Sequence, residues 1–170
     1  MSRIEGFPPL ARRDARVLVL GSMPSRESLA RHRYYAHPRN AFWPIMTRLF
    51  GLQSTRYAER AAELMTHGVA VWDVLRACWR HGSLDSAIDE ASIETNDFVA
   101  FYAAHGHIRR VFFNGAKAES VYRRHVLPLL GGTATAVPLQ RLPSTSPAHA
   151  SLDLAAKTDA WRVLADSAVE

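Results

Sequence analysis

Cysteine and lysine are among the scarcest residues of this chain, with one Cys and two Lys in 170 positions. A single cysteine, Cys78, excludes an intramolecular disulfide and a four-cysteine iron–sulfur cluster. Between Ala77 and Trp79 it reads as a small buried hydrophobe. No apolar run is long enough to cross a bilayer, and the first residues carry no signal-peptide core, so a cytoplasmic chain without membrane contact is expected. Also missing are a Gly-x-Gly-x-x-Gly turn, a phosphate-cradling Lys loop and a Gly-x-Ser-x-Gly nucleophile elbow. Eight histidines are present, including His105-Gly106-His107, but none of their spacings suits zinc. No metal and no cofactor are therefore expected. Without repeats, low-complexity tracts or a linker, residues 1–170 read as one domain, large enough to bury a core.

What the chain does have is arginine. Nineteen Arg set a formal charge of +5 and a pI near 9.9. A basic balance favours polyanionic partners, because neutralised phosphates release condensed counterions. The arginines are scattered rather than blocked, so no cationic tail is indicated.

Apolar runs alternate with helical spacing along the chain. Residues 1–13 read as an irregular lead-in. The run from Arg16 to Leu20, stopping at Gly21, suits a buried parallel strand, and Val69–Trp72 and Val111–Phe113 suit two more. Thr133–Leu139, partly β-branched, reads as a fourth. Between them, Pro44 fits the first turn of a helix over Phe42–Leu49, and Tyr57, Ala61, Leu64 and Met65 mark a helix closed by Gly68. Asn96 is placed to cap a helix bearing Phe98, Val99 and Tyr102, and another runs from Ala116 to about His125. Leu154, Trp161 and Leu164 share one face of a last helix. Such alternation predicts an α/β domain around a mostly parallel sheet, with ligands bound beyond the carboxyl ends of the strands.

Three segments lie at such ends: Gly21-Ser22-Met23-Pro24-Ser25, Tyr35-Ala36-His37-Pro38-Arg39-Asn40-Ala41-Phe42-Trp43 and Leu142-Pro143-Ser144-Thr145-Ser146-Pro147-Ala148. In this order they resemble the active-site loops of the uracil-DNA glycosylase superfamily, and most closely its hypoxanthine-DNA (deoxyinosine) glycosylase branch, family 6. The resemblance covers roughly residues 14–165. It implies a three-layer α/β/α fold with a four-stranded parallel sheet and a monomer that acts on DNA containing deaminated bases.

The same resemblance assigns roles. The superfamily keeps a polar Asp or Asn at the position of Met23 and the strict uracil enzymes a Tyr at that of Ser25, so a roomier, purine-sized pocket is implied. Asn40 then becomes the catalytic residue, its amide oxygen holding the attacking water, although its place before Phe42 also suits a helix cap. Tyr35 is expected to stack on the flipped base, and His37 to line the pocket without a proton-transfer role. Asn114, polar at the end of an apolar strand, offers a donor and an acceptor to the base edge, or caps the helix that follows. Pro143, Ser144, Thr145, Ser146 and Pro147, with His149, form the loop expected to grip the DNA backbone. Leu142 stands where several members carry His or Asn, and Pro147, His149 or Leu142 is expected to fill the gap left by the base. No Lys sits in these motifs, which predicts a monofunctional enzyme that leaves an abasic site. The competing readings are uracil or a G-mismatched pyrimidine as substrate, a DNA-binding member without catalysis, and a hydrolase using Ser22 or Ser25.

Overall fold

The computed structural model of the chain describes residues 2–169. In chain order the strands are β1 (Ser2–Glu5), β2 (Val17–Gly21), β3 (Val69–Asp73), β4 (Leu75–Arg80), β5 (Glu94–Thr95), β6 (Arg110–Asn114) and β7 (Leu139–Leu142). The α-helices are α1 (Arg26–Arg31), α2 (Phe42–Phe50), α3 (Tyr57–Thr66), α4 (Phe98–Ala104), α5 (Ala116–Val121) and α6 (Leu154–Ala168). The apolar runs form a four-stranded parallel sheet in the order β3-β2-β6-β7. Every residue of β2 and β3 is buried, as strands covered on both faces must be.

Side chains alternate between the two faces. Phe113 packs against Tyr122, just beyond α5, at 5.1 Å between ring centroids. On the opposite face Arg110 lies over Phe112 and donates to Ser167 of α6. The α2 helix packs on α6 through Phe42 and Trp161, whose rings meet edge to face at 6.2 Å. Helices therefore cover both faces of the sheet. No helix among the described residues is long and apolar enough to cross a membrane.

Several details differ from the sequence-based expectation. The fourth strand is Leu139–Leu142, not Thr133–Leu139, because Gly132–Ala136 coils into a 3₁₀ turn and Pro138 has no N–H for the ladder. Residues 2–5 are not irregular: β1 joins β4 and β5 in a small antiparallel sheet, where Ile4 faces the buried Cys78. Asp97 rather than Asn96 caps α4, accepting from Ala100 N at 3.0 Å. Asn96 instead donates to the Asp73 carbonyl at 2.8 Å, tying down the end of β3.

Candidate active site

A cavity of about 450 Å³ opens at the carboxyl ends of the parallel strands. Each strand contributes to it: Gly21 ends β2, Asp73 ends β3, Asn114 ends β6, and Ser144–Ser146 follow β7. The strand order reverses at β2, whose two neighbours are β3 and β6, and an open α/β sheet has its natural ligand crevice at such a point.

The first motif makes a tight wall. Gly21 is required by close approach, since a Cβ there would lie 2.5 Å from Asp73 Oδ1 and 2.9 Å from Tyr35 Oη. Ser22 donates to Asp85 Oδ1 at 2.5 Å, and Ser25 caps α1 by accepting from Ser28 N at 3.2 Å. Neither hydroxyl bonds a histidine, so neither has the base a nucleophilic serine needs. Met23 is buried and lines the cavity with Pro24, whose carbonyl accepts from Arg80 Nη2 at 2.7 Å.

In the second motif the two tyrosines divide their work. Tyr34 is a buried anchor: its hydroxyl donates to Pro8 O at 2.8 Å and its carbonyl accepts from Trp43 Nε1 at 2.9 Å. Tyr35 has φ of 55°, a left-handed conformation rarely adopted by an aromatic residue. That turn stacks its ring on Phe42 at 4.1 Å and brings its side chain to the cavity wall. Asn40 lies on the wall, its Oδ1 accepting from Phe42 N at 2.9 Å. One lone pair of that oxygen is thus spent on the start of α2, while the second is left for a ligand. His37 lies outside the cavity, lining an adjoining pocket with Arg31, Arg33 and Arg60, and its Nδ1 accepts from Arg39 N.

The third motif is a clamp more than a free loop. Thr145 is 1% exposed, and its N–H donates to Asn114 Oδ1 while its hydroxyl accepts from Asn114 Nδ2, both at 2.9 Å. Its carbonyl accepts from Ala41 N at 2.9 Å. One buried threonine therefore joins the second motif and the end of β6 to the third motif. From beneath, Lys157 of α6 donates to His149 O at 2.6 Å, and Trp161 Nε1 donates to Pro143 O at 2.8 Å. Ser144, Ser146 and His149 line the cavity, whereas Pro143 and Pro147 do not. Leu142 is buried in the core and cannot fill a gap in DNA.

Sequence reasoning missed one side of the site. The segment Ser83–Ser86, together with Lys117, also lines the cavity, so a lysine does stand at the site. Lys117 pairs with Glu90. Asp73 was missed too, although it ends an apolar strand just as Asn114 does. It is 3% exposed and Oδ2 has no hydrogen-bond partner among the described residues. Burial, and then the nearby Asp85, push its pKa up to about 7 against the opposing pull of Arg80. Tyr35 Oη is likewise buried without a partner, and burial raises its pKa. Among the described residues no group of three or more His, Cys, Asp or Glu is placed to hold a metal.

Comparison with known proteins gives this geometry a family. The model of the Uracil DNA glycosylase superfamily matches residues 8–165. A protein of Methanosarcina acetivorans named hypoxanthine DNA glycosylase is 35% identical over 137 residues, which is 75% of this chain and 85% of that protein. One of the same name from Methanosarcina barkeri is 35% identical over 116 residues, 67% of this chain and 72% of that protein. A solution NMR structure from Methanosarcina acetivorans, described as a candidate uracil DNA glycosylase, superposes with a TM-score of 0.80 at 31% identity, covering 99% of this chain and all of the other. The chain belongs to the uracil-DNA glycosylase superfamily.

Proposed function

We propose that this chain is a monofunctional DNA glycosylase that hydrolyses the N-glycosidic bond of deoxyinosine, releasing hypoxanthine and leaving an abasic site. The observation that carries the reading is the convergence of the three motifs on one cavity roomy enough for a purine, together with two relatives named for that base.

Bond cleavage builds positive charge on the sugar and negative charge on the departing base, so the enzyme must position a water and receive the base. Asn40 positions the water. Its Oδ1 accepts from Phe42 N, which sets the amide's orientation, and its free lone pair accepts a hydrogen of the attacking water. The amide is a poor base, so orientation and charge stabilisation carry the catalysis. Ser144 and Ser146, whose hydroxyl oxygens accept from Ser146 N and Ala148 N and keep their O–H groups to donate, serve phosphate contacts, since the loop is braced from below by Lys157 and Trp161. Leu84, 55% exposed beside the cavity, is the side chain for the space that an extruded base vacates.

The test is excision from an end-labelled duplex with one deoxyinosine opposite thymine, with uracil duplexes in parallel. Strand breakage only after alkali is expected. Breakage without alkali, abolished by Lys117→Gln, would instead support a lyase acting through the lysine at the cavity wall. Absence of any excision by folded protein would overturn the hypoxanthine reading.

A further inference from the structure

Two buried polar groups of cavity-lining residues lack partners among the described residues, Asp73 Oδ2 and Tyr35 Oη. Unpartnered buried polar atoms are uncommon in folded proteins, because each loses its bonds to water and gains none in return. Here both belong to residues that line the same cavity. They also lie close together, since a Cβ on Gly21 would touch Asp73 Oδ1 at 2.5 Å and Tyr35 Oη at 2.9 Å. Two neighbouring hydrogen-bonding positions are thus presented beside a residue with no side chain of its own. The Asn114 amide lies near enough to Tyr35 Oη to lower its pKa slightly, but the pair does not reach hydrogen-bond geometry, and Asn114 Oδ1 and one Nδ2 hydrogen already bond Thr145.

The chemistry of deamination supplies the missing partners. Adenine presents a ring-nitrogen acceptor beside an amino donor. Deamination converts that edge to a ring N–H donor beside a carbonyl acceptor. An ionised carboxylate only accepts, and a phenol donates readily. We propose that Asp73 and Tyr35 are the base-reading pair of this site, the Asp73 carboxylate accepting the ring N–H of the deaminated base and the Tyr35 hydroxyl donating to its adjacent carbonyl. The inference rests on the glycosylase reading above and names its specificity determinants. It moves base recognition from Asn114, whose amide holds the Thr145 loop, to the end of the neighbouring strand β3. Adenine would set its ring-nitrogen lone pair against the carboxylate, an unpaired buried contact of the kind that gives large discrimination. The left-handed backbone of Tyr35 belongs to this arrangement, in which its hydroxyl comes beside Gly21 at the cavity wall.

Free hypoxanthine and free adenine are the probes, each assayed at mildly alkaline pH as an inhibitor of excision by wild type, Asp73→Asn and Tyr35→Phe. An Asn amide can turn either its oxygen or its NH₂ toward the base, so it suits both edges. Hypoxanthine should inhibit the wild type at least about 100-fold more strongly than adenine, and Asp73→Asn should shrink that ratio to within about tenfold. Tyr35→Phe should weaken hypoxanthine inhibition by about tenfold and leave adenine unchanged. A large fall in kcat for Asp73→Asn with an unchanged inhibition ratio would overturn the proposal, since that is the signature of a group acting on water. If Asp73→Asn fails to fold, as judged by near-UV circular dichroism, Tyr35→Phe decides, and an unchanged hypoxanthine constant overturns it. Wild type that excises no hypoxanthine would refute the underlying function instead. Wild type that excises hypoxanthine while both variants keep the wild-type base ratio refutes only the reading pair.

Discussion

Asn40 holds two positions at once, and its substitutions should separate them. Asn40→Ala removes the acceptor for Phe42 N as well as the group that would orient water. Excision should fall on the order of 10²-fold or more while lesion-containing DNA still binds, and the melting temperature should drop by a few degrees for a lost helix-start bond worth about 1 kcal/mol. Asn40→Asp keeps the acceptor and should restore the melting temperature, so a stability loss in Ala alone marks the structural half of the role. Asp73 makes a prediction of opposite sign. Its pKa of about 7 stands above the ordinary value of 3.8, because burial and Asp85 outweigh Arg80, with Tyr34 and Tyr35 also facing it. A raised carboxyl pKa means that the folded state holds the proton more tightly. Its stabilising protonation is complete below about pH 4 and is lost as pH rises through 7, to a penalty of about 4 kcal/mol. Asp73→Asn should therefore melt above wild type at mildly alkaline pH and alongside it near pH 4; parallel melting curves at both pH values would contradict the raised pKa. In the sequence Asn40 stood out through its motif, whereas Asp73 did not. Nothing local to Val-Ala-Val-Trp-Asp says that its carboxyl is buried beside Asp85, twelve residues on.

The parallel strands were legible because strands buried on both faces carry continuous apolar runs, and β2, β3 and the middle of β6 show that pattern. The edge strand β7 was misplaced because Leu139–Leu142 is half exposed and reads as mixed, while the β-branched residues before it follow two glycines and coil. The β4 strand and the segment after it escaped notice for a related reason. Their burial alternates irregularly, and only pairing with β1 and β5 makes them an element. Yet that segment walls the site. Arg80, nearly fully buried, donates to Pro24 O and to Gly82 O, so one guanidinium joins it to the first motif. Rigidly held, it presents Leu84 at the cavity mouth. Leu84→Ala should slow excision from a duplex by about tenfold, the worth of a side chain that stabilises an unstacked base pair. Excision from single-stranded DNA, where no gap needs filling, should be unchanged. Equal losses on both substrates would count against a role in the gap.

At the scale of the molecule the arginines acquire a geography that composition alone could not supply. Arg31, Arg33 and Arg60 surround the pocket next to the cavity, sharing Tyr35 and Asn40 with it. Arg60 lies over Trp43 at 5.1 Å with its Nε unbonded, and Arg33 has no ion pair among the described residues. A pocket with three arginines beside the cavity suits the phosphates of a strand whose base enters it. Arg33→Gln should weaken binding to damaged and undamaged duplex alike, and lower the slope of log affinity against log salt by about 1. An unaltered slope would place the backbone elsewhere. The bonds that complete the site also cross the whole chain: Thr145 meets Asn114 and Ala41, so the second motif, the end of β6 and the third motif close on one buried residue. A copy that has begun to melt has no partial site left to misuse. In rising denaturant, excision and tertiary structure should vanish at one midpoint, so that a damaged repair enzyme falls silent before it becomes indiscriminate.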